Sequence, residues 1–144
     1  MMNRTIRDVI AQQTPVTAPA AMTVRTAAAI MKERRVGAMM VVEQGQLVGV
    51  FTERDALCRV VAEGRDATIT TLGDVMTANP RTVSPDAAFS SALELMHENR
   101  FRHVPVVENG QPIGMVSVRD AMGPELESFV YEMLRQEQVS EVLA

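Results

Sequence analysis

Two stretches of the chain repeat one alternation of apolar and polar positions. In the later one, Ser84-Pro85-Asp86 marks a helix start, and Phe89, Ala92, Leu93 and Met96 then recur at helical spacing until Asn99-Arg100. A short β-branched run over 103–107 follows, then the hairpin turn Asn109-Gly110, a returning strand over 113–116, and a further helix opened by Ser117. The earlier stretch predicts the same series: a helix over 24–34, strands over 38–42 and 47–51 around Gln44-Gly45, and a helix over 52–63. The order is β-α-β-β-α, twice. Beyond Gly123-Pro124, the residues Leu126, Phe129, Val130, Met133 and Leu134 recur at helical spacing among Glu125, Glu127, Glu132 and Arg135. That predicts a C-terminal helix with no counterpart in the first unit.

The two patterns are copies in sequence as well as in period. A shift of 65 residues lays Met31-Lys32-Glu33-Arg34-Arg35 on Met96-His97-Glu98-Asn99-Arg100, and Val41-Val42-Glu43-Gln44-Gly45-Gln46 on Val106-Val107-Glu108-Asn109-Gly110-Gln111. Over the 40 positions from Thr17 to Ala56, 14 are identical, where ordinary composition gives about three. Upstream, Arg7-Asp8-Val9-Ile10 resembles Gly73-Asp74-Val75-Met76 after a one-residue slip. The polar segment Gly64-Arg65-Asp66-Ala67-Thr68 is too short for a free linker. A first unit over 1–66, a second over 67–123 and a C-terminal helix over 124–144 are therefore expected to share one body. A 60-residue unit is marginal alone, and pseudo-twofold pairing buries the face each leaves open. The expected fold class is α/β, in the α+β sense of paired β-α-β-β-α motifs.

Composition narrows the function. The 144 residues carry 18 acidic and 14 basic side chains for a formal charge of −4, with only four Phe and one Tyr. A nucleic-acid partner wants the opposite balance and aromatic platforms, so none is expected. One cysteine, no apolar run of about 18 residues and a start without an apolar signal-like region lead us to expect a cytoplasmic protein with no membrane partner. Eleven Met and no Trp point to a core of small and flexible side chains. Cys58, with Leu57, Val60 and Val61, is expected in that core.

Candidate chemistry sits where each second strand gives way to a helix. Gly49-x-x-Thr52-x-x-Asp55 and Gly114-x-x-Ser117-x-x-Asp120 place a hydroxyl and a carboxylate beside free backbone N–H groups, an arrangement that suits a ribose diol or a phosphate. The same spacing is that of a capping box, which accounts for both residues without a ligand, and the two roles are compatible. Arg102, His103 and Pro105 read either as the polar face of an edge strand or as a border for an anionic group. Their counterparts in the 65-residue register are Gly37, Ala38 and Met40, so we expect unequal sites, with the second unit's the better anion binder. No nucleophile, base and orienting group form a recognisable motif, so no enzyme is expected. His97 and His103 lie on different predicted elements, which gives a zinc site no support.

The doubled Gly-x-x-Thr/Ser-x-x-Asp, the strand Arg102-His103-Val104-Pro105-Val106, the Asp74-Val75-Met76-Thr77 start and the element order together resemble a tandem pair of cystathionine β-synthase (CBS) domains, a Bateman module, over residues 5–122. The resemblance implies a stand-alone regulatory module of bacterial type that binds adenosine-containing ligands such as AMP, ADP, ATP or NAD in clefts between the motifs and signals to an effector protein. It implies that Asp55 and Asp120 hold ribose hydroxyls and that Thr52 and Ser117 reach ribose or phosphate. Arg102 and His103 would border the anionic group while the backbone near Val104 and Pro105 meets adenine. Arg54 and Arg119 would add phosphate contacts, and Thr17, Ala38, Met39 and Thr82 would complete the lining. It also implies a homodimer formed through helical faces, to which the stripe from Leu126 to Leu134 is suited. The alternative is an interaction scaffold whose pockets bind no physiological ligand.

Overall fold

Several helices in this chain begin where a Thr in extended backbone can satisfy a free N–H, and the two long ones before the C-terminal helix end on a left-handed arginine. The computed structural model describes residues 4–143, with the side chains of 124 and 137–143 outside the described set; residues 1–3 and 144, the ends of the expected units, also lie outside it. In chain order the elements are α1 (Ile6–Ile10), β1 (Thr17–Ala18), α2 (Val24–Arg34), β2 (Ala38–Glu43), β3 (Gln46–Thr52) and α3 (Glu53–Asp55), which runs on as a π-helical stretch over Ala56–Val61. There follow α4 (Leu72–Val75), β4 (Thr77–Ala78), α5 (Phe89–Asn99), β5 (His103–Glu108), β6 (Gln111–Ser117), a 3-10 turn over Val118–Asp120, and α6 (Gly123–Leu143).

The repeat is visible in the backbone. Both hairpins turn on two residues of positive φ, Gln44-Gly45 and Asn109-Gly110, as a primed turn requires. Both carry a register shift at the same place, between Val41 and Val42 and between Val106 and Val107. Ala18 pairs with Val41 in parallel, and Val83 bridges Val106 in the same way. Alternate strand residues point inward. Met39, Val41 and Phe51 join Val24 and Ala27 of α2 in one core, while Val104, Val106 and Val116 join Phe89, Leu93 and Met96 of α5 in the other.

Each lead helix packs on the other unit. Ile6 and Ile10 of α1 belong to the second core, and Leu72 and Val75 of α4 to the first. Backbone bonds fix the exchange: Ile6 N–H donates to Ala87 O at 2.9 Å and Leu72 N–H to Met22 O at 2.9 Å. The conserved spacing of Gly49 and Gly114 between the copies follows from this packing. A Cβ on Gly49 would lie 2.3 Å from Met76 Sδ and 3.0 Å from Thr77 O, and one on Gly114 would lie 2.9 Å from Ile10 Cδ1. Beyond α4, β4 extends the first sheet by pairing with β3. On the pseudo-equivalent side no strand forms, and the Gln13 side chain takes its place: Nε2 donates to Met115 O (2.8 Å) and Oε1 accepts from Met115 N–H (3.1 Å).

Two expectations need correction. Ser117 opens only a 3-10 turn, because Pro124 has no N–H to give the Asp120 carbonyl and the helix cannot run through it. Ala121 turns extended and α6 starts afresh. Cys58 is exposed, as are Leu57 and Val61, and of that group only Val60 is buried. The i→i+5 winding, seen in Ala62 N–H to Leu57 O (2.9 Å), leaves Asp55 and Val60 facing inward and turns the others out.

Two clefts built from both repeats

The hydroxyl and carboxylate at the end of each second strand first serve the backbone. Thr52 N–H donates to Asp55 Oδ2 (3.0 Å) and Asp55 N–H to Thr52 Oγ1 (3.2 Å). Ser117 repeats the theme, donating to Asp120 Oδ2 from its N–H at 2.7 Å and from its Oγ at 3.4 Å. Thr5 with Asp8 and Thr71 with Asp74 form the same box at α1 and α4. Capping is thus realised, yet it uses one oxygen of each carboxylate. Asp55 Oδ1 has only Arg59 Nε at 3.7 Å, and Asp120 Oδ1 takes no hydrogen bond among the described residues. Each Asp therefore keeps an acceptor for a diol.

These corners open on two cavities. Cleft one, about 720 Å³, joins Val50, Thr52, Arg54 and Asp55 of the first unit to Asn79, Pro80 and Arg81 of the connector and to Arg102, His103 and Pro105 of the second unit. Cleft two, about 280 Å³, joins Ser117, Arg119 and Asp120 to Thr14, Pro15 and Val16 and to Arg35, Gly37, Ala38 and Met40. Arg102, His103 and Pro105 were expected beside Asp120, but of these two clefts Arg102 and Pro105 line Asp55's and not Asp120's, and His103 lines both. The crossing follows from the pseudo-twofold pairing, which sets the start of β5 against the end of β3 and the start of β2 against the end of β6.

His103 is the wall between the clefts, and a Cβ on Gly37 would sit 3.4 Å from its Cε1. Burial holds its imidazole below the usual range; Glu53 works against this, Arg119 reinforces it, Asp120 opposes and Arg102 adds a little more. The free protein at neutral pH presents a neutral ring here.

Of the other expected site residues, Ala38 and Arg119 line cleft two and Arg54 lines cleft one, where its Nη1 also donates to Arg100 O (3.2 Å). The side chains of Met39 and Val104 are fully buried in the two cores, since strand alternation gives the clefts their neighbours Met40 and Pro105 instead. Thr17 and Thr82 are exposed and stand outside both linings. Asn79-Pro80-Arg81 and Thr14-Pro15 were missed. Running the register upstream would have found them, because Thr14-Pro15 lies over Asn79-Pro80 with the proline identical.

A family model described as the CBS domain matches residues 6–62 and again 72–123. A mitochondrial CBS domain-containing protein of Arabidopsis thaliana, CBSX3, is 40% identical over 105 residues, which is 69% of this chain and 51% of that protein. The CBS domain-containing protein YhcV of Bacillus subtilis is 34% identical over 115 residues, covering 80% of this chain and 81% of its own length. The chain thus spans about half of the first relative and most of the second. Among solved structures, a CBS domain protein from Pyrobaculum aerophilum complexed with AMP superposes with a TM-score of 0.79 at 27% identity, over 89% of this chain and 99% of that one.

Proposed function

Because the chain belongs to the CBS domain family, as a tandem pair, we propose that it is a regulatory module that binds an adenosine-containing nucleotide, of the AMP, ADP, ATP or NAD type, in its two clefts. The observation that carries this reading is the spare carboxylate oxygen of Asp55 and Asp120, each residue lining a cleft beside a hydroxyl. The AMP complex of the Pyrobaculum relative supports it. No chemical step is assigned. The bound nucleotide shifts the population of shapes presented to an effector protein, in a cytoplasmic setting.

The clefts are unequal in the direction opposite to the one expected, because the polar residues of β5 serve Asp55. Cleft one holds the guanidinium groups of Arg54, Arg81 and Arg102, none of them in an ion pair among the described residues, where cleft two has Arg35 and Arg119. Small-ligand sites run to about 300–1,000 Å³, so cleft one, at about 720 Å³, has room for a phosphorylated nucleoside, while cleft two, at about 280 Å³, suits a smaller ligand. Calorimetric titration with adenosine, AMP, ADP, ATP and NAD tests this. Asp55→Ala should weaken the tighter site by about 1.5–3 kcal/mol, the worth of a hydrogen bond to a charged group. Arg102→Ala should weaken AMP there without weakening adenosine. No binding of any of the five at millimolar concentration would leave the scaffold reading, which the exposed Leu57, Val61 and Ile69 favour.

A further inference from the structure

We propose that Arg4 is a positioning residue for cleft two, and that through it the first turns of α6 report whether that cleft is filled. The inference rests on the nucleotide reading above, since it assigns a consequence to occupancy at Asp120.

The break at Ala121 leaves the Asp120 carbonyl without a helical donor, and Arg4 supplies one: its Nη2 donates to Asp120 O at 2.7 Å. The same guanidinium forks onto Glu125, with Nε to Oε2 at 3.1 Å and Nη2 to Oε1 at 2.6 Å. Glu125 is only 8% exposed at its side chain, and its Oε1 also accepts the Met122 N–H at 2.9 Å. Arg4 lies over the Phe89 ring at 5.4 Å, and its own carbonyl accepts the Phe89 N–H. One side chain therefore joins the back of the Asp120 turn, the start of α6 and the start of α5.

Among the described residues nothing equivalent exists at cleft one. The position ahead of α4 that matches Arg4 is Thr70, whose hydroxyl donates to Asp66 O (2.8 Å). Past Asp55 the chain stays helical through Val61. Among the described residues the tie is thus a feature of the second site alone.

A ligand held by Asp120 and Ser117 needs the 3-10 turn in the position that Arg4 fixes from behind. Ligand and tie favour one arrangement, so each strengthens the other, and linkage makes the effect equal in both directions. Filling cleft two steadies the Gly123 end of α6, and loosening the tie weakens cleft two.

Hydrogen exchange on the full chain, with AMP or adenosine at a concentration that protects residues 113–120, tests the proposal. In the wild type, exchange over 123–135 should slow on the order of tenfold, within the usual range of such couplings. In Arg4→Met and in the near-isosteric Glu125→Gln, that slowing should vanish, and affinity at cleft two should fall by a similar factor while cleft one keeps its own. Protection of 113–120 in the wild type with no change over 123–135 would overturn the proposal, and needs no variant. So would faster exchange in the variants with affinity at cleft two intact, the pattern of a merely structural ion pair. Failure of every ligand to protect either 50–57 or 113–120 would instead remove the nucleotide reading, and this proposal with it.

Discussion

His103 shows how one side chain's surroundings set the sign of a pH effect. Half-buried among Arg102, Arg119, Glu53 and Asp120, it holds its proton less well than a free imidazole. A phosphate bound beside it would favour the protonated ring, so the complex takes up a proton that the free protein lacks. AMP affinity at cleft one should therefore rise as pH falls from 7 to about 5.5, and His103→Gln should flatten that slope in calorimetry. At Gly114 the issue is space. An added Cβ meets Ile10 at Cδ1, Cβ and Cγ2, all within 3.0 Å, and Ile10 is 6% exposed in a packed core. Gly114→Ala should cost about 1–3 kcal/mol in denaturant unfolding, whereas Gly110→Ala would act through its positive φ instead. Residue identities at both places were visible in the sequence. Their neighbours were not, since Ile10 reaches Gly114 across more than a hundred residues of chain.

Among the elements, α2 falls on the residues its periodicity predicts, and the four hairpin strands extend their predicted runs by a residue or two at their ends. Local pattern carried those segments because each buries one alternating or helical face in its own core. The pieces that defeated the pattern have other origins: the 3-10 turn stops short of Pro124, and the exchanged α1 packs in the core of the second unit. The docking of α6 likewise rests on a residue from far along the chain, Arg4. The Arg4 guanidinium, by its hydrogen bonds first, holds the Glu125 carboxyl below the usual carboxylate range. A lowered folded-state value means the contribution is complete above the unfolded range and fades as pH falls through the folded value. Protection of residues 123–135 should hold from neutral pH down to the ordinary glutamate range, about 4.3, and be lost below it; Glu125→Gln should lack the transition.

For the whole molecule, the exposed face of α6 carries Leu126, Val130 and Leu134 at helical spacing, with Tyr131 two-thirds exposed beside them, while Phe129 on the inner side meets the His97 ring edge-on at 5.6 Å. The helix is anchored by one face and leaves an apolar stripe on another, which fits association with a second copy. Light scattering should find a dimer at tens of micromolar, and Val130→Glu with Leu134→Glu should make it monomeric without changing nucleotide affinity at cleft one. The two-fold arrangement of units was legible from the repeat. The composition of the clefts was not, because a repeat says which residues are equivalent and is silent on which copy faces which.

The exchange of lead helices has a consequence for how the chain can be cut. Residues up to the Gly64 turn carry α1, which the second core needs, and residues beyond it carry α4, which the first core needs. A protease nick in that exposed connector would yield two pieces, each missing its own lid and holding the other's. Made separately and mixed, they should reconstitute one particle, and neither piece alone should give a cooperative melt.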